Sequence, residues 1–189
     1  MKKYELTAEF IEKWGKKLFR IKALISFGSV EAGELGGYVE KEDNLAQDGD
    51  AWVYGDARVY GNARVYGNAE VCGNAEVCGN AEVYGNARVC GNAEVCGNAE
   101  VCGNADYLLI GRIGSRFSFT TFFKNKDKGI TVSCGCFLGT IAEFRAKVTD
   151  THGNNKHAKI YNLAADMAEL QILGEEHFDK LNTNKSEPF

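Results

Sequence analysis

The side chains that could do chemistry are unevenly spread along this chain of 189 residues. All three histidines, His152, His157 and His177, lie in its last quarter. Histidine takes and gives protons near neutral pH, so these are the candidates for a general base. His152 sits in Thr151-His152-Gly153, the expected end of a helix, where helix capping or plain solvent exposure competes with catalysis. A second group is Arg58, Tyr60, Arg64 and Tyr66, spaced six apart in pairs. Arginine grips phosphate through paired N–H groups, and tyrosine stacks on a planar base. With Arg112 and Arg116 they form the candidate binding set for a small nucleotide-type ligand; the competing reading is solvated charge and interface packing. The third group is the seven cysteines. Cys134-Gly135-Cys136 puts two thiols on one face of an extended strand, too few for a closed zinc site, which takes four ligands. No metal is expected.

The elements that must position these groups are written in a repeat. From Asp50 to Gly103 the chain runs through nine uninterrupted hexads, the first Asp50-Ala51-Trp52-Val53-Tyr54-Gly55 and the last Asn98-Ala99-Glu100-Val101-Cys102-Gly103. A fixed period sets the architecture. Each hexad pairs a short strand with a turn, and Gly-Asn or Gly-Asp marks every turn because these residues tolerate positive φ. Side chains alternate along a strand, so Ala and Val share the inner face. Strands this short hold only if successive coils stack and pair their backbones.

Stacking by steps of eighteen residues assigns the outward positions to three walls. Wall one carries Trp52, Glu70 and Arg88 with Tyr54, Cys72 and Cys90. Wall two carries Arg58, Glu76 and Glu94 with Tyr60, Cys78 and Cys96. Wall three carries Arg64, Glu82 and Glu100 with Tyr66, Tyr84 and Cys102. Rows of Tyr and Cys facing water are an unusual apolar exposure. Burial between subunits removes it, which makes Trp52, Tyr54, Cys72, Cys78, Tyr84, Cys90, Cys96 and Cys102 the candidate oligomer interface. The cysteine spacing belongs to the repeat, and in-register parallel neighbours point poorly for a disulfide, so free thiols are expected.

The flanks differ in composition. Residues 1–36 read as a capping segment; Leu18–Leu24 is strand or short helix. Val39 and Leu45 hold the six-residue phase with Ala51, so the β-helix is expected to begin near Gly37, with Ile110 and Ile113 closing its far end (37–113). Residues 114–181 predict a hairpin (117–124 and 129–134) and two helices. The first starts at Thr140, with Glu143 placed for a capping box and Gly153 as its stop. The second spans Lys156–Leu173. Residues 182–189 read as a flexible tail.

Composition narrows function. Apolar residues make up 44% of the chain, enough for a core. The net charge is −4, and residues 50–104 hold seven acidic and three basic side chains, which repels a nucleic-acid backbone. No stretch approaches the roughly 18 apolar residues of a membrane span, and the charged start Met1-Lys2-Lys3-Tyr4-Glu5 lacks the pattern of a secretory signal. A cytoplasmic protein is expected, without nucleic-acid or membrane partners.

At the aliphatic and small positions, Val59-Tyr60-Gly61-Asn62-Ala63-Arg64 resembles the hexapeptide-repeat family; it departs at the second position, which holds Tyr or Cys throughout. The resemblance implies a left-handed parallel β-helix, three hexads per turn, assembled as a homotrimer. The expected fold is mainly β: that β-helix with an N-terminal cap and a C-terminal hairpin plus two-helix segment. Glu42-Asp43-Asn44-Leu45, Cys134-Gly135-Cys136-Phe137 and Thr151-His152-Gly153 resemble a narrower group of hexapeptide-repeat proteins of bacteriophages, prophages and bacteria, often labelled acyltransferases. That label implies acyl-CoA as co-substrate and His152 as base, while fold alone does not fix function. No histidine precedes His152 and no loop interrupts the hexads. The leading expectation is therefore a non-catalytic, oligomeric binding protein without a cofactor, phage-derived, sequestering a nucleotide-type signal or blocking a host defence component. Acyl transfer is second, and a structural or assembly module third.

Overall fold

The computed structural model describes residues 1–176, so His177 and the expected tail 182–189 lie outside the described residues. The chain divides into two compact units, Met1–Asn104 and the part beginning at Ala105. The β-helix therefore ends about nine residues before the expected boundary at 113.

Unit one opens with strands β1 (Tyr4–Lys13), β2 (Lys16–Ala23) and β3 (Leu35–Val39). The Leu18–Leu24 stretch is thus strand. Nine two-residue strands follow, one per hexad: β4 (Trp52–Val53), β5 (Arg58–Val59), β6 (Arg64–Val65), β7 (Glu70–Val71), β8 (Glu76–Val77), β9 (Glu82–Val83), β10 (Arg88–Val89), β11 (Glu94–Val95) and β12 (Glu100–Val101). They stack as a parallel β-solenoid of about four turns. The three walls come out as β4-β7-β10, β5-β8-β11 and β6-β9-β12, the columns expected from steps of eighteen. Each coil donates backbone N–H groups to carbonyls of the next, as from Arg58 N to Ala75 O (2.9 Å) and Tyr60 N to Val77 O (3.0 Å). The Ala and Val of every hexad are buried.

The corners explain the Gly-Asn signature. Gly79 has φ +71°, and a Cβ there would sit 2.8 Å from the backbone nitrogen of Gly97 on the next coil. Only glycine permits both the conformation and the approach. The asparagines beside the corners form amide ladders: Asn62 donates to Asn80 (3.2 Å), Asn80 to Asn98 (3.3 Å) and Asn68 to Asn86 (3.1 Å).

The entry coil departs from the eighteen-residue step. Val39 pairs with Val59, and Leu45 forms a bridge with Val65, twenty residues on in each case. Two extra residues therefore lie in the corner between Leu45 and Val53, and the phase drawn from Val39 through Leu45 to Ala51 is corrected by that amount. The lengthened corner turns its carbonyls toward Lys3, whose buried Nζ donates to Asp48 O (3.3 Å), Gly49 O (3.3 Å) and Ala51 O (2.9 Å). Burial lowers the Lys3 pKa to about 8 against the pull of Asp48 and Asp50.

Strands β1 and β2 extend wall two beyond β3, giving a six-stranded sheet ordered β1-β2-β3-β5-β8-β11. This cap corrects the interface reading of Trp52. Trp52 is fully buried, with Phe27 at 5.4 Å and Tyr4 at 6.0 Å packed edge-on against its ring. The alternation points Trp52 outward, but the N-terminal segment folds over it, so no subunit contact reaches it. A Cβ on Gly36 would lie 2.7 Å from that ring, which keeps the covering strand free of side chain there.

The thiol expectation is corrected too. Cys72 is bridged to Cys90 and Cys78 to Cys96, each across eighteen residues with Cα atoms 4.6 and 4.7 Å apart. Parallel stacking already holds the two backbones within disulfide range, and side-chain rotation supplies the rest. Four of the eight proposed interface residues are thus tied within one chain. The free thiols expected at these four positions are therefore replaced by two intrachain bridges. No helix among the described residues is long and apolar enough to cross a membrane.

Unit two is a four-stranded antiparallel sheet of β13 (Tyr107–Ile113), β14 (Ser118–Lys124), β15 (Ile130–Cys134) and β16 (Phe137–Thr140), followed by α1 (Ile141–His152) and α2 (Lys156–Leu173). The expected hairpin is β14–β15; β16 is only four residues long, and β13 falls in the stretch that sequence assigned to the end of the β-helix. Ile110 and Ile113, expected in the β-helix, lie on β13 and pack on this unit's core. Thr140 caps α1 in a full capping box with Glu143, and Gly153 ends it. The core joins Phe122, Val132, Phe144, Val148, Tyr161 and Ala165.

Candidate functional site

On wall three, column stacking sets Tyr66 directly against Tyr84. Their rings are parallel within 1°, with centroids 5.0 Å apart. The Arg64 guanidinium lies over the Tyr66 ring at 5.6 Å. Each tyrosine hydroxyl donates to the carboxylate one coil on, Tyr66 to Glu82 (2.9 Å) and Tyr84 to Glu100 (2.7 Å). Eighteen-residue stacking makes this pairing repeat: Tyr60 donates to Glu76 on wall two (3.1 Å). Burial, and then the Glu82 carboxylate, push the Tyr66 pKa up to about 12; burial and Glu76 do the same to Tyr60. The Glu100 hydrogen bond raises that of Tyr84.

These shifts predict alkaline sensitivity. A tyrosine near 10 in the unfolded chain but near 12 in the fold keeps its proton longer when folded. The unfolded state therefore loses protons first as pH rises, and stability falls from about pH 10 through pH 12. Urea melts of wild type and Tyr66→Phe across that range should show the wild-type midpoint falling more steeply. Equal slopes would show that the Tyr66–Glu82 contact has no such effect.

Above this ladder, at the entry coil, an open cavity of about 600 Å³ is lined by Lys41, Asp43, Leu45, Gln47, Asn62 and Arg64, among others. Glu42, also on its wall, is paired with Lys2 at 2.7 Å. Arg64 is exposed and belongs both to the cavity and to the aromatic stack. The cavity wall carries two cations, Lys41 and Arg64, three carboxylates, Glu42, Asp43 and Asp48, and the amides of Gln47 and Asn62.

The six residues expected to bind a ligand do not form one site: Arg64 and Tyr66 meet on wall three. Arg58 and Tyr60 stand on wall two, where Glu76 receives Arg58 (3.4 Å), the Tyr60 hydroxyl and Lys13. Both are drawn to Glu76, although the buried Arg58 Nε has no hydrogen-bond partner among the described residues. Arg112 and Arg116 belong to unit two, in and after β13. Sequence reasoning missed Tyr84 as a stacking partner by assigning it to the interface, although its spacing from Tyr66 is one full coil. Of the other interface candidates, Tyr54 hydrogen-bonds Ser29 (3.0 Å), and Cys102 is exposed.

His152 lies within unit two, at the end of α1. Its ring is 5.8 Å from both Tyr161 and His157, and it lines a cavity of about 100 Å³ with Cys134, Lys147 and Tyr161. Thr120 donates to the Cys134 sulfur (3.2 Å), and burial followed by Cys134 pushes Tyr161 up to about 12. Cys136 is exposed beside the turn. Among the described residues, no three His, Cys, Asp or Glu side chains converge as metal ligands. The chain matches no protein-family model, and no curated protein matches it. The hexapeptide-repeat resemblance therefore rests on the repeat and on the stacked coils that it builds.

Proposed function

We propose that this protein is a non-catalytic, homo-oligomeric binding protein that holds a small nucleotide-type ligand on wall three. The observation that carries the reading is the Tyr66–Tyr84 stack with the Arg64 guanidinium over the Tyr66 ring, Arg64 also lining the entry-coil cavity. The aromatic surface takes the base, and Arg64 with Lys41 takes the phosphate. The subunits form a trimer through exposed rows of the walls, and the use of the site is to sequester a signal on which a host defence relies.

Calorimetry against nucleotides and cyclic nucleotides tests this. Binding is expected for at least one. Base stacking contributes about 1–3 kcal/mol, so Tyr84→Ala should weaken it roughly 5- to 150-fold, and Arg64→Ala at least about tenfold. No heat with any nucleotide removes the ligand. Sedimentation as a monomer at micromolar concentration removes the trimer.

A further inference from the structure

Helix α2 is apolar on two sides. Its inner face buries Ala158, Tyr161, Ala164, Ala165, Ala168 and Ile172 in the core of unit two. Its outer face carries Ile160, Leu163, Met167 and Leu170, which are 38, 63, 57 and 45% exposed. Of the seven exposed positions on this helix, these are four; the others are Lys156, Lys159 and Gln171. A helix apolar all round is ordinarily covered on every side. The spacing of the outer four is three, four, three. That is the a/d pattern of a helix that packs on another along a single seam, here about 15 Å long.

We infer that this stripe is a self-association surface, on which α2 of a second copy lies antiparallel. The choice of occupant follows from pattern and charge together. A two-fold axis crossing midway between Leu163 and Met167 sets Ile160 against Leu170 of the second copy and Leu163 against its Met167. Every a position then meets a d position, as antiparallel seams require. The helix is basic at its start, with exposed Lys156 and Lys159, and the exposed Glu175 and Glu176 follow its end. Antiparallel packing brings the lysines of each copy beside the glutamates of the other. Parallel packing would set lysine beside lysine and glutamate beside glutamate. This two-fold contact is separate from the trimer contact on the walls, and neither requires the other.

Sedimentation of the full chain with three variants tests the inference. Wild type should have an even number of subunits at micromolar concentration. Leu163→Glu/Met167→Glu should halve that number while unit two keeps its circular dichroism and thermal melt. Lys156→Glu/Lys159→Glu should weaken the two-fold contact at least tenfold. That change suits the helix dipole, so weaker association would not reflect a damaged helix. Adding Glu175→Lys/Glu176→Lys to it should restore the contact. A monomeric wild type, or a trimer whose mass the Leu163/Met167 variant leaves unchanged, overturns the inference; the trimer result does so while leaving the wall-mediated assembly standing. A charge variant that the glutamate swap fails to rescue overturns the antiparallel arrangement.

Discussion

Val77→Asp should abolish the cooperative unfolding of unit one. Val77 is fully buried in the middle coil of wall two, stacked between Val59 and Val95. The substitution forfeits about 1.5–3 kcal/mol of apolar burial. It also places a carboxylate where the neighbouring side chains are valines and alanines, at a further cost of several kcal/mol. A domain holds only about 5–15 kcal/mol in all. Because each coil touches only the coils beside it, a defect in the middle severs the solenoid rather than fraying its end. The expected result is loss of the β signal in circular dichroism and of a sharp melt, with Glu76→Gln beside it remaining folded. A Val77→Asp protein melting within a few degrees of wild type would show that the stacked valines are not the core on which the unit depends.

The second large effect concerns the bridges. Cys72–Cys90 and Cys78–Cys96 each close a loop of eighteen residues. A loop of that size restrains the unfolded chain by about 3 kcal/mol. The two loops overlap, so together they contribute less than twice that. With a urea slope of about 1–3 kcal/mol per molar, reduction should lower the unfolding midpoint by at least about 1 M. The double variant Cys72→Ser/Cys78→Ser should show the same lower midpoint with and without reductant. At most three of the seven cysteines should react with a thiol reagent in the native, oxidised protein. Seven reactive thiols, or a midpoint indifferent to reduction, would count against the bridges.

What could be read from sequence follows from where the information lies. The solenoid and its three walls were legible because Val53, Val59 and their successors repeat without interruption, and a repeat fixes which residues stack. Helix α2 was legible because Tyr161, Ala165, Ala168 and Ile172 recur on one face; the structure adds the Asn155 cap and the Gly174 stop. Trp52 misled because alternation tells which way a side chain leaves the strand, not what later folds over it; Phe27 and Tyr4 come from a segment whose hairpin has no period to read. The disulfides were missed because strand spacing was weighed without the freedom of cysteine to rotate about χ1. The cavity was invisible because Lys41, Gln47 and Arg64 meet through the two-residue excess in the entry coil. The outer stripe of α2 was written in plain view, but its inner apolar face satisfied the expectation of a packed helix first.

The eighteen-residue column also bears on heredity. Near-identical hexads invite slippage when a gene is copied, and the fold sorts the outcomes. Losing three hexads deletes one coil and leaves every downstream residue on its own wall. Losing one hexad moves each downstream residue to the next wall. A loss between Tyr66 and Tyr84 would part the two rings, and a loss between Cys72 and Cys90 would part that bridged pair. Lineages carrying this protein should therefore vary in length by multiples of eighteen codons within the repeat, the one step of growth that keeps its columns in line.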